Sequence, residues 1–194
     1  MTRVVLASTS RYRRELLARL LPDFAVDAPD VDETPIAGES PRDLAIRLAS
    51  AKAHAVAASH PDAIVIGSDQ VAELDGAALG KPGSVEAARA QLAASSGHTV
   101  SFHTALCVFD TRSSAMVERS AIDCTQVVFR RLDAATIARY VAAEEPLDCA
   151  GSFKAEGLGI ALFERIESSD PTALIGLPLI ALAHLLREAG LPLP

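Results

Sequence analysis

The chain has 194 residues, 49% of them hydrophobic and 22% charged, the balance of a globular protein that buries a sizeable core rather than a disordered one. A formal net charge of −7 argues against a general nucleic-acid or anionic-membrane surface, while leaving room for a local basic pocket. Three widely spaced cysteines, Cys107, Cys124 and Cys149, give neither a disulfide framework nor a zinc knuckle.

In chain order, residues 4–7 (VVLA) predict a short buried strand. A serine-rich turn follows, and then a helix to about Leu21 with Ser10 as its N-cap. Strand, hydroxyl-rich turn and helix start together present N–H groups and hydroxyls to an anion. Arg11, Arg13 and Arg14 oppose the dipole of that helix, which is unfavourable unless something negative docks there. One or two of the three are expected simply to face solvent. The apolar run before them is too short for a signal-peptide core or a membrane span, and a cytoplasmic location is the expectation.

Residues 26–35 read as an acidic, proline-bounded extended segment that contains Glu33. The next helix is signalled by Ser40 as N-cap, Pro41 at the first helical position and Asp43 completing a capping box. Its apolar stripe is expected at Leu44, Leu48, Ala51 and Ala55, with Lys52 on the flank, either snorkelling to solvent or, the favoured reading, reaching from the packed face into a cleft. Residues 63–67 (AIVIG) predict a buried strand whose end delivers Ser68, Asp69 and Gln70 to the edge of the sheet, where ligands bind in open α/β folds. From this segment alone Asp69 could equally cap a turn, and the company of Lys52, Lys81, Arg13 and Glu33 favours chemistry. Asp75-Gly76 marks a tight hairpin that returns the chain to Lys81 beside Asp69.

A helix over residues 84–94 comes next. It precedes two long runs, 99–109 and 116–129, expected to pair as an antiparallel hairpin, with Cys107 and Cys124 as small core residues. Asp133 caps a further helix to about Ala143, residues 147–163 are glycine-punctuated and contain Lys154, and residues 178–189 form a last apolar helix before Gly190. The fold class is therefore α/β, a mixed twisted sheet flanked by helices around a central cleft. A single domain over residues 1–194, with two lobes, is expected.

The suspicious residues share a chemistry. Basic groups at Arg13, Lys52, Lys81 and Lys154 with carboxylates at Glu33 and Asp69 suit hydrolysis of a phosphoanhydride. Cations neutralise phosphate oxygens, the acids hold Mg²⁺ or Mn²⁺, and one carboxylate orients or deprotonates water. No Walker A or Rossmann glycine pattern is present.

Residues 6–14 (LASTSRYRR), Val31-Asp32-Glu33, Lys52-Ala53, residues 67–71 (GSDQV) and Gly80-Lys81-Pro82 closely resemble the Maf family of nucleoside triphosphate pyrophosphatases. Residues 149–159 (CAGSFKAEGLG) and 176–180 (GLPLI) resemble the branch that hydrolyses 7-methyl-GTP. The resemblance implies conversion of a nucleoside triphosphate to its monophosphate and pyrophosphate with a divalent metal cation, Mg²⁺ or Mn²⁺. It also implies a fold like that of the ITP pyrophosphatases and a homodimer. Carried over by position, it makes Asp69 the catalytic base, and Ser8, Arg13, Glu33, Lys52 and Lys81 the lining of the triphosphate and metal site. Whether Asp69 is base, metal ligand or both stays open.

The same resemblance puts Tyr12, Gln70 and Lys154 at the positions that separate base preferences among the family's branches. Gln70 stands where other members carry threonine, which favours a methylated guanine. An amide can bond a purine edge, and Tyr12 can stack on a cationic base. Two other readings are a regulator of cell division or septum formation that binds a nucleotide without essential turnover, and a plain phosphatase. The first is disfavoured because a dead sensor has no need of both acids.

Overall fold

The computed structural model describes residues 2–194. Along the chain run β1 (Arg3–Ala7), α1 (Arg11–Leu17), β2 (Ala25–Asp27), α2 (Pro41–Ala57), β3 (Ala63–Leu74) and β4 (Ala77–Leu79). Then come α3 (Val85–Ser95), β5 (Thr99–Asp110), β6 (Val117–Phe129), α4 (Ala134–Glu144), β7 (Phe163–Glu167) and α5 (Leu179–Glu188). The strands form one mixed sheet in the order β2-β1-β3-β5-β6-β7, with β4 paired to β3. The expected α/β class, mixed sheet and flanking helices are all present.

Three apolar clusters hold the layers together. Leu16 and Leu17 of α1 and Leu182 and Leu186 of α5 pack on Leu6, Ile64, Ile66 and Leu106. On the other face, Leu48, Ala49 and Ala53 of α2 cover Val5, Ala7, Val65, Cys107 and Phe109, because alternate strand residues point to opposite sides. The third cluster gathers at the far end of β3, β5 and β6, where Phe102, Val127 and Phe129 meet Leu92 of α3, Ile137 and Tyr140 of α4, and Phe153. Ser68, Asp69 and Gln70 lie between the end that α2 and α5 cover and the end that α3 and α4 cover.

The N-cap and proline signals of α2 act as the sequence indicates. Asp43, however, turns its carboxylate to the Ser40 hydroxyl rather than to the Ser40 N–H, so the reciprocal bond of the capping box is not made. Ser40 Oγ accepts the Asp43 N–H at 3.1 Å and donates to Asp43 Oδ2 at 2.7 Å, with Pro41 at the helix start. Its buried face is Leu44, Ala45, Leu48, Ala49, Lys52, Ala53 and Val56, whereas Ala55 is exposed. Lys52 is thus inside the packed stripe rather than on its flank.

Three further expectations are corrected. The helix expected to reach Leu21 ends at Leu17, with Ala18 as C-cap and a turn beyond. Cys124 is exposed, since β6 alternates and only residues such as Thr125 and Val127 face inward there.

The strand through Asp69 does not end there. β3 continues to Leu74, because β5 pairs with it antiparallel from Ile64 to Glu73. What ends is its parallel neighbour β1, whose last pair is Ala7 with Gly67. Asp69 therefore sits two residues past the C-terminal edge of the parallel part of the sheet, backed by continuous pairing on its other side.

Candidate active site

The centre of the site is made by one helix and one strand in close approach. A methyl group at position 67 would lie 2.1 Å from the Ala49 carbonyl oxygen and 2.8 Å from the Ala53 nitrogen, so only glycine lets α2 pass this close to β3. The helix then carries Lys52 over Asp69. Lys52 is 6% exposed and Asp69 7%, and Lys52 Nζ donates to Asp69 Oδ1 at 2.6 Å. The same Nζ is 2.6 Å from Glu33 Oε1, on the exposed segment after β2. Burying an ammonium is costly unless it is paired, and here two carboxylates compensate it. The bond to Lys52 holds the Glu33 carboxyl below its ordinary value, with the charges of Lys81 and Arg13 adding to the effect.

Arg13 approaches from α1. Its Nε donates to the Gly176 carbonyl at 2.9 Å, and Ser68 Oγ donates to the same oxygen at 3.0 Å. Burial draws the Arg13 guanidinium down from its ordinary value, against the pull of Asp69 and Glu33. Ser8 is buried, its Oγ accepting the Ser10 N–H at 3.1 Å. Of the other two arginines, Arg11 pairs with Glu15 at 2.6 Å on the surface and Arg14 is exposed, so only Arg13 turns inward. Lys81 is exposed just after β4, whose pairing of Leu79 with Ala72 brings it back along β3. The Asp75-Gly76 hairpin has positive φ at both residues, as its turn type requires.

Tyr12, Gln70 and Lys154 are placed differently. The Gln70 amide nitrogen is bonded to Thr104 Oγ1 at 3.0 Å, to the Ala173 carbonyl at 2.9 Å and to the Leu174 carbonyl at 3.0 Å. Its two hydrogens are therefore shared among protein acceptors. Lys154 Nζ donates to the Glu144 carbonyl at the end of α4 at 3.0 Å, and its backbone N–H donates to Tyr140 Oη at 3.1 Å. Tyr12 is half-buried. Burial raises its hydroxyl above the ordinary value, helped by Cys149 and Glu156 and opposed by Lys154, so these groups share its surroundings.

Gly176 is the functional residue that sequence reasoning missed as an individual. Its φ of +121° favours glycine, and its carbonyl ties together Arg13 and Ser68, which lie 163 and 108 residues away. The short 3₁₀ turn Ala173–Ile175 before it is anchored by Gln70 and by Thr104, whose Oγ1 donates to the Ala173 carbonyl at 3.0 Å. Beyond it, Asp170 Oδ2 accepts the Ile180 N–H at 2.6 Å and caps the start of α5. The glycine in GLP was the available signal.

The donor set bears on a metal. Two carboxylate oxygens converge on one point, and no set of three or more His, Cys, Asp or Glu suited to hold an ion occurs among the described residues. Such a pair fits Mg²⁺, which is commonly held by one or two carboxylates and completes its octahedron with phosphate and water oxygens. Cationic groups above a carboxylate pair can receive a polyphosphate, and a buried carboxylate beside them can take a proton from water.

A sequence model described as "Maf-like protein" matches residues 3–189. A protein of Xanthomonas oryzae pv. oryzae named 7-methyl-GTP pyrophosphatase is 60% identical over 194 residues, covering 100% of both chains. One of the same name from Bordetella pertussis is 56% identical over 97% of this chain and 93% of its own. Among solved structures, the Staphylococcus aureus Ham1 protein aligns with a TM-score of 0.53 at 16% identity, over 97% of this chain and 100% of that one, a likeness of fold.

Proposed function

This chain belongs to the Maf family, and from that premise we propose that it is a nucleoside triphosphate pyrophosphatase acting on 7-methyl-GTP. The observation that carries the reading is Lys52 Nζ, 2.6 Å from both Glu33 and Asp69 at the inner end of a site edged by Arg13 and Lys81. Relatives 54–60% identical over nearly the whole chain bear the corresponding name.

In this reading Arg13, Lys52 and Lys81 neutralise the triphosphate oxygens and hold the chain of phosphates in line. Water attacks the α-phosphorus, its proton passes to Asp69, the bond from the α-phosphorus to the bridging oxygen breaks, and pyrophosphate leaves with that oxygen. Glu33 and Asp69 would hold a divalent cation, which supplies further charge neutralisation at the phosphate oxygens. Lys52 keeps Asp69 oriented until substrate arrives.

At the base end, Tyr12 offers a face to a cationic methylated purine. Gln70 supports selection by fixing the Ala173–Ile175 turn, since its amide N–H groups are already committed to that turn.

The test is product identification. The protein is incubated with 7-methyl-GTP, GTP, dTTP and UTP, with Mg²⁺, Mn²⁺ or chelator. The reading expects pyrophosphate and monophosphate, fastest from 7-methyl-GTP and only with metal. Orthophosphate as the first product would replace it with a phosphatase, and saturable binding without turnover would favour a nucleotide-binding regulator.

A further inference from the structure

Glu33 belongs to a stretch of chain that packing does not hold. Residues 28–40 form neither helix nor strand, and residues 32–38 are all exposed, Ile36 at 58%. A carboxylate on such a segment has a fixed position only if the backbone beside it is tied down, because every free residue dilutes the productive geometry.

One side chain does the tying. Arg47 stands on α2 five residues before Lys52, and its Nε and Nη2 donate to Glu39 Oε1 and Oε2 at 2.6 and 2.9 Å. The same Nη2 donates to the Thr34 carbonyl at 3.1 Å, next to Glu33. Glu39 Oε2 also accepts the Ile36 N–H at 3.1 Å, which closes the turn on itself. Ordinary surface ion pairs contribute little. This one differs, because the Glu39 side chain is only 10% exposed, the contact is a two-pronged fork, and a third bond reaches the backbone. The helix thus grips the segment twice, at Glu33 through Lys52 and just beyond it through Arg47.

We propose that Arg47 is the positioning residue for Glu33, its fork on Glu39 and its bond to the Thr34 carbonyl holding residues 33–39 against α2 so that Glu33 meets the metal and triphosphate beside Asp69. This rests on the proposed triphosphate site. Arg47 touches no reacting atom; it acts through the segment. Lysine cannot replace it, having one donor point where the contact needs a planar fork.

The experiment compares Arg47→Gln, Arg47→Lys and Glu39→Gln, with Arg47→Gln also made in a Glu33→Gln background. Pyrophosphate release is followed against Mn²⁺ concentration, and amide hydrogen exchange is followed across the chain. Arg47→Gln is expected to lower kcat/KM about 10- to 100-fold and to raise the half-saturating Mn²⁺ concentration by a similar factor. Exchange in residues 32–39 should quicken about tenfold or more while β3 is unchanged.

Arg47→Lys should not rescue. With Glu33 already replaced, Arg47→Gln should cost less than about twofold, because the group it positions is gone. Equal losses in both backgrounds, or unchanged Mn²⁺ requirement and exchange, would overturn the proposal. If the unmodified protein released no pyrophosphate at all, the proposed function would fail separately. Exchange would then decide, with quickening at 32–39 upholding Arg47's grip and no change refuting it.

Discussion

The two ends of the site are built on opposite plans. At the proposed triphosphate end, Glu33 and Asp69 are both bonded to Lys52, so that an arriving phosphate and metal could exchange partners with groups already in place. At the proposed base end, the polar groups at the expected specificity positions are bonded to the protein itself, Gln70 to Ala173 and Leu174, Lys154 to Glu144. The contrast teaches that the residues proposed to perform the reaction are held by charges that substrate can replace. The residues proposed to select the base would do so by shaping a wall, their effect passing through the backbone they anchor.

The largest effect should come from the first end. Asp69→Asn is expected to lower kcat about 10²- to 10⁴-fold while leaving the fold and nucleotide binding largely intact, as measured by pyrophosphate release and equilibrium binding. Turnover near the original rate would remove Asp69 from its role.

Gly67→Ala comes next, because its added methyl meets the Ala49 carbonyl at 2.1 Å and forces α2 away from β3. A displacement of about 1 Å at Lys52 should cost about 10²-fold in kcat/KM, with about 1–3 kcal/mol lost in denaturant unfolding. A stable protein of normal activity would show that the close approach is dispensable.

Gln70→Ala probes the second end. It leaves the Leu174 carbonyl without its donor, while the Ala173 carbonyl keeps Thr104 Oγ1 and the Gly176 N–H, and should cost about 1–3 kcal/mol of stability. Its preference for 7-methyl-GTP over GTP should fall about tenfold while the better rate changes only severalfold. An equal loss for both nucleotides would move Gln70 into the reaction end.

The smallest effect concerns acid. The folded value of Glu33 lies below its unfolded value, so its contact with Lys52 contributes stability fully at neutral pH and loses it as pH falls from the ordinary glutamate range through the lowered folded value. Glu33→Gln should flatten that acid limb of the stability curve, and an unaltered limb would contradict the pairing.

Local signals made much of this legible. The Ser40 and Pro41 start of α2 and the Asp75-Gly76 hairpin depend on neighbours a few residues away, and both form as the sequence indicates. The chemistry of Lys52, Asp69 and Glu33 was legible as residue types in an order, though not their convergence on one nitrogen. The passage of β3 through Ser68 and Asp69 was hidden, because polar residues interrupt the apolar run and the pairing that sustains the strand comes from β5, some 35 residues on. The Gly176 carbonyl that binds Arg13 and Ser68 was hidden for the same reason, its partners being more than a hundred residues distant. Arg47 and Glu39 carry no periodicity or motif, and only the folded segment shows why they meet.

The central claim is that water attacks the α-phosphorus of a triphosphate held at Lys52 and Asp69. Turnover of 7-methyl-GTP in ¹⁸O-labelled water, with the products separated and weighed by mass spectrometry, tests it directly. The account predicts one labelled oxygen in the nucleoside monophosphate and none in the pyrophosphate. Label in the pyrophosphate, or labelled orthophosphate as the first product, would contradict it.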